Sequence, residues 1–113
     1  MDIKERVHEN IYIISITGRI DTANARVIDA KLNEVVDESM PKIIINLTAV
    51  DYISSSGLRV LLAAFKRQGQ KNGSLIIVSN KPSVENIFNI TGLDRVFIIY
   101  KSEEDAIRSL SSS

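Results

Sequence analysis

Two kinds of segment alternate along the chain, and that alternation leaves few architectures open to it. The first kind is short and β-branched: Ile11 to Thr17, Lys42 to Leu47, Leu75 to Ser79 and Val96 to Tyr100. Ile43-Ile44-Ile45 and Leu75-Ile76-Ile77-Val78 are unbroken apolar runs, the pattern of strands covered on both faces. Ile3 and Val7 stand among charged residues, so residues 3 to 8 read as an edge strand. Glu9-Asn10 then reads as a hairpin turn into Ile11. The second kind has helical spacing. Ile28, Leu32, Val35 and Val36 form one stripe between Thr22 and Glu38. Leu58, Leu61, Leu62 and Phe65 do so from Ser56 to Lys71, and Val84, Ile87 and Phe88 from Pro82 to Thr91. Ala106, Ile107 and Leu110 mark a last helix over residues 102 to 110.

The punctuation agrees with this division. Asp21 or Thr22 can cap the first helix. Asn72-Gly73 ends the second, and Gly92 ends the third at the usual left-handed position. Pro82 suits a first helical turn. Ser102 with Asp105 resembles a capping box in which Asp replaces Glu. Gly69 costs about 1 kcal/mol relative to Ala inside a helix, which predicts an early or loose end there. The order is therefore ββαβαβαβα, an α/β protein. Strand–helix–strand units imply right-handed crossovers and a mostly parallel sheet. The first two strands add an antiparallel N-terminal hairpin at the margin, and helices cover the sheet.

A chain of 113 residues reads as a single domain, 1–113, with Ser111-Ser112-Ser113 frayed. Lys+Arg and Asp+Glu number 14 each, so no global field draws the chain to nucleic acid or an anionic membrane. There is no cysteine, which excludes disulfides and thiolate metal sites. No apolar run approaches the roughly 20 residues that span a bilayer. Met1-Asp2-Ile3-Lys4-Glu5-Arg6 lacks the apolar stretch of a secretory signal. These features predict a cytoplasmic protein. Scattered carboxylates and a single histidine, His8, suggest no metal site, and no Walker loop or dinucleotide fingerprint suggests a nucleotide cofactor. A serine hydrolase would need a base near its nucleophile, but His8 lies on the predicted edge strand and no G-x-S-x-G elbow is present. The expectation is a chain without enzymatic activity of its own.

The informative stretch is Asp51-Tyr52-Ile53-Ser54-Ser55-Ser56-Gly57-Leu58-Arg59. The pattern predicts a buried strand ending near Leu47, a loop, and then serines where a helix begins. Loops after the carboxyl ends of strands are the favoured functional edge of an α/β sheet. A helix start offers unpaired N–H groups and an effective charge of about +0.5, which together accept an anion such as a phosphate. Gly57 removes a side chain from the first turn, so the backbone could approach a phosphate or a partner's nucleotide. A plain N-cap would also explain one serine. Three serines followed by glycine exceed what a cap requires.

These residues resemble the STAS domain, the fold of bacterial anti-anti-sigma factors, also called anti-sigma factor antagonists. The likeness spans nearly the whole chain. It includes Thr17-Gly18-Arg19-Ile20-Asp21, then Ile45-Asn46-Leu47 followed by Tyr52 to Leu58, then Ile87-Phe88-Asn89-Ile90-Thr91-Gly92-Leu93. The resemblance implies that Ser55, two residues before the motif glycine, is the phosphorylated serine. Ser56 is the second candidate, with a helix cap as its other role. Ser54 stands where the family often has Asp, which removes one carboxylate beside the site. Asp21 matches an acidic residue in the loop beside the phosphorylation loop, and equally suits a helix cap. Arg59 could pair with a phosphate or a partner carboxylate, or stand in solvent without a partner. Asp21, Ser54, Ser56, Gly57, Leu58 and Arg59 thus form the expected phosphosite loop and partner-binding surface.

The implied role is a switch. The unphosphorylated chain binds an anti-sigma factor with a serine-kinase domain and so frees the sigma factor. The partner transfers phosphate to Ser55 from ATP that it binds itself, and a phosphoserine phosphatase of the PP2C type resets the system. The alternative is a STAS scaffold or regulatory subunit of a sensory complex or transporter, with no sigma factor involved.

Overall fold

The computed structural model describes residues 1–111. Its five strands lie in one sheet in chain order, β1 (Asp2–His8), β2 (Ile11–Ile20), β3 (Lys42–Ile53), β4 (Ser74–Val78) and β5 (Ile98–Tyr100). β1 pairs antiparallel with β2, and every other pairing is parallel. Glu9 takes a positive φ of 57° in the hairpin turn. Four helices follow their strands: α1 (Ala25–Asp37), α2 (Ser55–Gln70), α3 (Pro82–Ile90) and α4 (Glu103–Ser111). The element order and the mixed sheet are those expected, with one addition, a 3-10 turn at Leu93–Arg95.

Side chains alternate across a strand, and here both sets are apolar. Tyr12, Ile14, Ile43, Ile45, Leu75 and Ile77 face a large core closed by residues of α1, α2 and α3. Ile11, Ile13, Ile44, Ile76 and Val78 face a smaller core closed by Ala106 and Leu110 of α4. The continuous apolar runs are thus a consequence of two covered faces. Phe97 joins the larger core between Phe65 and Phe88, with edge-to-face ring contacts of 5.1 and 5.6 Å. Such pairs add about 0.5–1.5 kcal/mol beyond their burial.

α4 is clasped to the sheet at its first turn. Arg6 of β1 forms an ion pair with Glu103, and Asn46 Nδ2 donates to Glu103 Oε2 at 2.8 Å. Burial alone would raise the Glu103 carboxyl, but the Arg6 guanidinium and the Asn46 amide outweigh it and hold the group below its ordinary value. A carboxyl depressed in the folded state contributes stability above its unfolded pKa and loses it as pH falls through the folded value. Glu103 should therefore protonate below an ordinary glutamate in a side-chain NMR titration. The amide signals of α4 should shift and broaden over the same acidic interval. An ordinary titration midpoint would contradict the clasp.

Several boundaries differ from the sequence reading. β2 runs on to Ile20 because Gly18, at φ 108°, sits among register shifts against β3 that a glycine accommodates. β3 does not stop at Leu47 but continues to Ile53. α1 starts at Ala25, three residues after Thr22. Gly69 does not end α2, which continues to Gln70, and Asn72 takes the left-handed φ of 60°. β5 begins at Ile98 because the chain is still turning at Leu93–Arg95. Gly92 holds its expected left-handed φ of 76°, and Ser102 Oγ accepts from the Asp105 N–H at 3.1 Å. Ser111 is the last residue of α4, while Ser112 and Ser113 of the expected frayed end lie outside the described residues.

Candidate functional site

β2 and β3 run side by side to their carboxyl ends, where Ile20 pairs with Ile53. The Ser54 N–H still donates to the Ile20 carbonyl at 2.8 Å. The chain has one residue in which to turn from strand to helix, and that residue is Ser54. Its backbone is extended (φ −81°, ψ 167°), and its Oγ accepts from the Gly57 N–H at 3.1 Å. Its carbonyl accepts from the Leu58 N–H at 3.0 Å. The cap of α2 is therefore Ser54, and the cap role expected of Ser56 is corrected. The reason is the longer β3: no loop separates Leu47 from the serines, so the first residue beyond the strand becomes the cap. A serine cap is worth about 1 kcal/mol over alanine, and Asp caps about as well as Ser. The Ser-for-Asp departure at residue 54 thus preserves the helix start while removing a charge.

Ser55 is the first residue of α2 and is exposed. Its hydroxyl makes no hydrogen bond among the described residues, and neither its N–H nor that of Ser56 has an acceptor there. Ser56 is half-buried, its Oγ 3.4 Å from Thr22 Oγ1 and 3.4 Å from Arg59 Nη2. Arg59 is exposed. Gly57 and Leu58, by contrast, face inward. Leu58 belongs to the larger core at 6% exposure. A Cβ on Gly57 would lie 2.6 Å from Ile20 Cγ2 and 2.9 Å from Ile53 Cγ1. The idea that Gly57 opens the backbone to a phosphate or nucleotide is corrected: it lets the helix start rest on the two strand ends. The outward surface is made by Ser55, Ser56 and Arg59.

Asp21 sits beside this helix start, in the turn between β2 and α1. Its Oδ1 accepts from the Asn24 N–H at 2.9 Å, and Asn24 Oδ1 accepts from the Asp21 N–H at 2.9 Å. The Asp21 carbonyl accepts from the Ala25 N–H at 3.0 Å. Asp21 therefore braces the turn into α1, while Asn24 occupies the cap position that Asp21 or Thr22 was expected to hold. The Thr22–Ser56 contact brings this turn against the start of α2. An open groove of about 390 Å³ runs on between α1 and α2, its walls including Ala25, Arg26, Asp29, Arg59 and Ala63.

One surface feature was not singled out from the sequence. Arg19 of β2 stacks on Tyr52 of β3, with the guanidinium 4.4 Å from the ring centroid. The two residues are cross-strand partners, and Tyr52 is 38% exposed two residues before Ser54. Tyrosine and arginine are the side chains protein interfaces favour. Only the pairing register reveals this contact, since the two residues lie far apart in sequence. His8 pairs with Ile11 at the opposite end of β2. At about 3.3 Å per residue it lies roughly 30 Å along the strand from Ile20, out of reach of Ser55. Among the described residues no three His, Asp or Glu side chains are grouped to hold a metal ion, and no helix is long and apolar enough to cross a membrane.

Comparison with known proteins gives concordant results. The STAS domain family model matches residues 2–106. BtrV of Bordetella bronchiseptica is 32% identical over 105 residues, covering 93% of this chain and 90% of its own. The anti-sigma-B factor antagonist of Bacillus subtilis is 30% identical over 108 residues, covering 96% of each. The crystal structure of an anti-sigma factor antagonist from Mycobacterium paratuberculosis superposes with a TM-score of 0.89 at 29% identity, covering 96% of this chain and 92% of that one.

Proposed function

The chain belongs to the STAS domain family, and on that premise we propose that it is an anti-sigma factor antagonist switched by phosphorylation of Ser55. In its unphosphorylated form it binds an anti-sigma factor carrying a serine-kinase domain, in the cytoplasm, and the sigma factor is released. The observation that carries this reading is the Ser55 hydroxyl, exposed and unbonded among the described residues at the first position of α2. Ser56 is the weaker acceptor because its Oγ already touches Thr22 and Arg59. Relatives named as anti-sigma factor antagonists support the general role.

The chemistry belongs to the partners. Ser55 Oγ attacks the γ-phosphorus of ATP held by the kinase. The new O–P bond forms as the bond to the β,γ-bridging oxygen breaks, ADP departs with the electron pair, and a base of the kinase takes the hydroxyl proton. A PP2C-type phosphatase hydrolyses the ester and restores the hydroxyl. Phosphorylation adds about −1.5 to −2 charges. The start of a helix tolerates that charge, so the fold survives while the contact surface around Tyr52, Ser55 and Ser56 becomes more negative.

Incubation with the cognate anti-sigma kinase and ATP, followed by peptide mass spectrometry, tests the reading. The expected result is one phosphate on Ser55. Phosphate on neither Ser55 nor Ser56 would remove the switch. Recovery of transporter or sensory-complex components in a native pull-down, with no anti-sigma kinase, would favour the scaffold alternative.

A further inference from the structure

We infer that Arg59 is the intramolecular receiver of the Ser55 phosphate. The inference rests on the phosphorylation reading above and concerns what the chain does once modified. Residues four apart on a helix share a face, and Ser55 and Arg59 are so spaced in α2. Long helical side chains point back toward the N-terminus, over the preceding turn. Arg59 does this already, since its Nη2 lies 3.4 Å from Ser56 Oγ in the first turn.

The guanidinium is also available. Arg6, Lys31, Arg67, Lys101 and Arg108 each have a carboxylate partner. Arg59 has none among the described residues, although Asp29 lines the same groove. Its one side-chain hydrogen bond among the described residues, to Ser56, is at the long limit and uses one of five donors. A phosphate on the neighbouring residue offers three strong acceptor oxygens and a geometry that a guanidinium matches in two places at once. Arg59 turns from Ser56 to the phosphate, and Ser56 is left with Thr22 alone. Modification then rearranges the polar contacts between the start of α2 and the turn before α1 without moving the backbone.

The test requires no kinase. Phosphoserine is installed at position 55 of the full chain during synthesis, and the second ionisation of the phosphate is followed by 31P NMR. A cation in contact favours the dianion and lowers its pKa, which is ordinarily about 6. The expected result is a value about half a unit lower in the native sequence than in Arg59→Gln, the size of a surface pair. Arg59→Lys should recover part of the difference, and 1 M salt should shrink it. Equal values in the native chain and Arg59→Gln would overturn the inference. That result would leave the kinase reading untouched, whereas an unlabelled Ser55 in the kinase assay would leave the phosphate–Arg59 contact standing.

Discussion

Ser55→Asp should lower affinity for the anti-sigma partner at least tenfold while the protein stays folded. The two halves of this result have separate causes. Residue 55 is the first of α2, where a carboxylate is favoured by about 0.3–1 kcal/mol. Thermal stability should hold or rise slightly. The same carboxylate becomes a charge to be desolvated when the partner covers it, at an effective penalty of several kcal/mol if unpaired. A tenfold loss needs only about 1.4 kcal/mol. Ser55→Ala is the control: it adds no charge, so it should bind as the native chain does and resist phosphorylation. Isothermal titration calorimetry against the kinase-type anti-sigma factor reads both. Undiminished binding by a folded Ser55→Asp would place residue 55 outside the contact surface.

Gly57→Ala should cost more stability than any other single-methyl change on α2. The added carbon would meet Ile20 Cγ2 at 2.6 Å and Ile53 Cγ1 at 2.9 Å. Both isoleucines are almost fully buried, at 1% and 2% exposure, and their branched Cβ atoms leave them few rotamers. Neither can retreat, so the helix start must lift. Overpacking of this kind costs about 1–3 kcal/mol. In a domain of this size that corresponds to a fall in Tm of roughly 5–15 °C. Alanine's better helix propensity recovers at most about 1 kcal/mol. Gly69→Ala isolates that propensity term, because beyond the adjacent residues and the backbone of α2 itself nothing lies within 4 Å of the added carbon, and it should raise Tm slightly. Calorimetry of the pair separates the two effects. A Gly57→Ala protein as stable as its parent would show that the strand ends yield more easily than their burial implies.

The architecture was legible because the strands are buried on both faces and the helices on one, which writes the period into the sequence. Ile43-Ile44-Ile45 and the Ile28–Val36 stripe needed no further information. The end of β3 was not legible. Thr48, Ala49 and Asp51 look like loop residues, yet the strand continues through them because β2 pairs alongside as far as Ile20. That tertiary pairing moved the cap from Ser56 to Ser54. The inward aim of Gly57 was hidden for a related reason: a glycine in a first turn looks the same whether it opens space for a ligand or for two isoleucines. Ser55 was legible as a helix-start serine, and its assignment as the acceptor came through the STAS resemblance. The Arg19–Tyr52 stack depends on register alone.

Because the strands lie across the sheet in the order they are synthesised, the molecule can be assembled as it leaves the ribosome. Every residue of the proposed switch, from Arg19 to Arg59, lies in the stretch from β2 through α2 or in the turns between those elements. At about 5–20 residues per second, those elements are synthesised seconds before α4. β4 and β5 then add to the growing edge, α3 to the face that already holds α1 and α2, and α4 to the opposite face, so the working end of the protein can be in place while the rest is still being made.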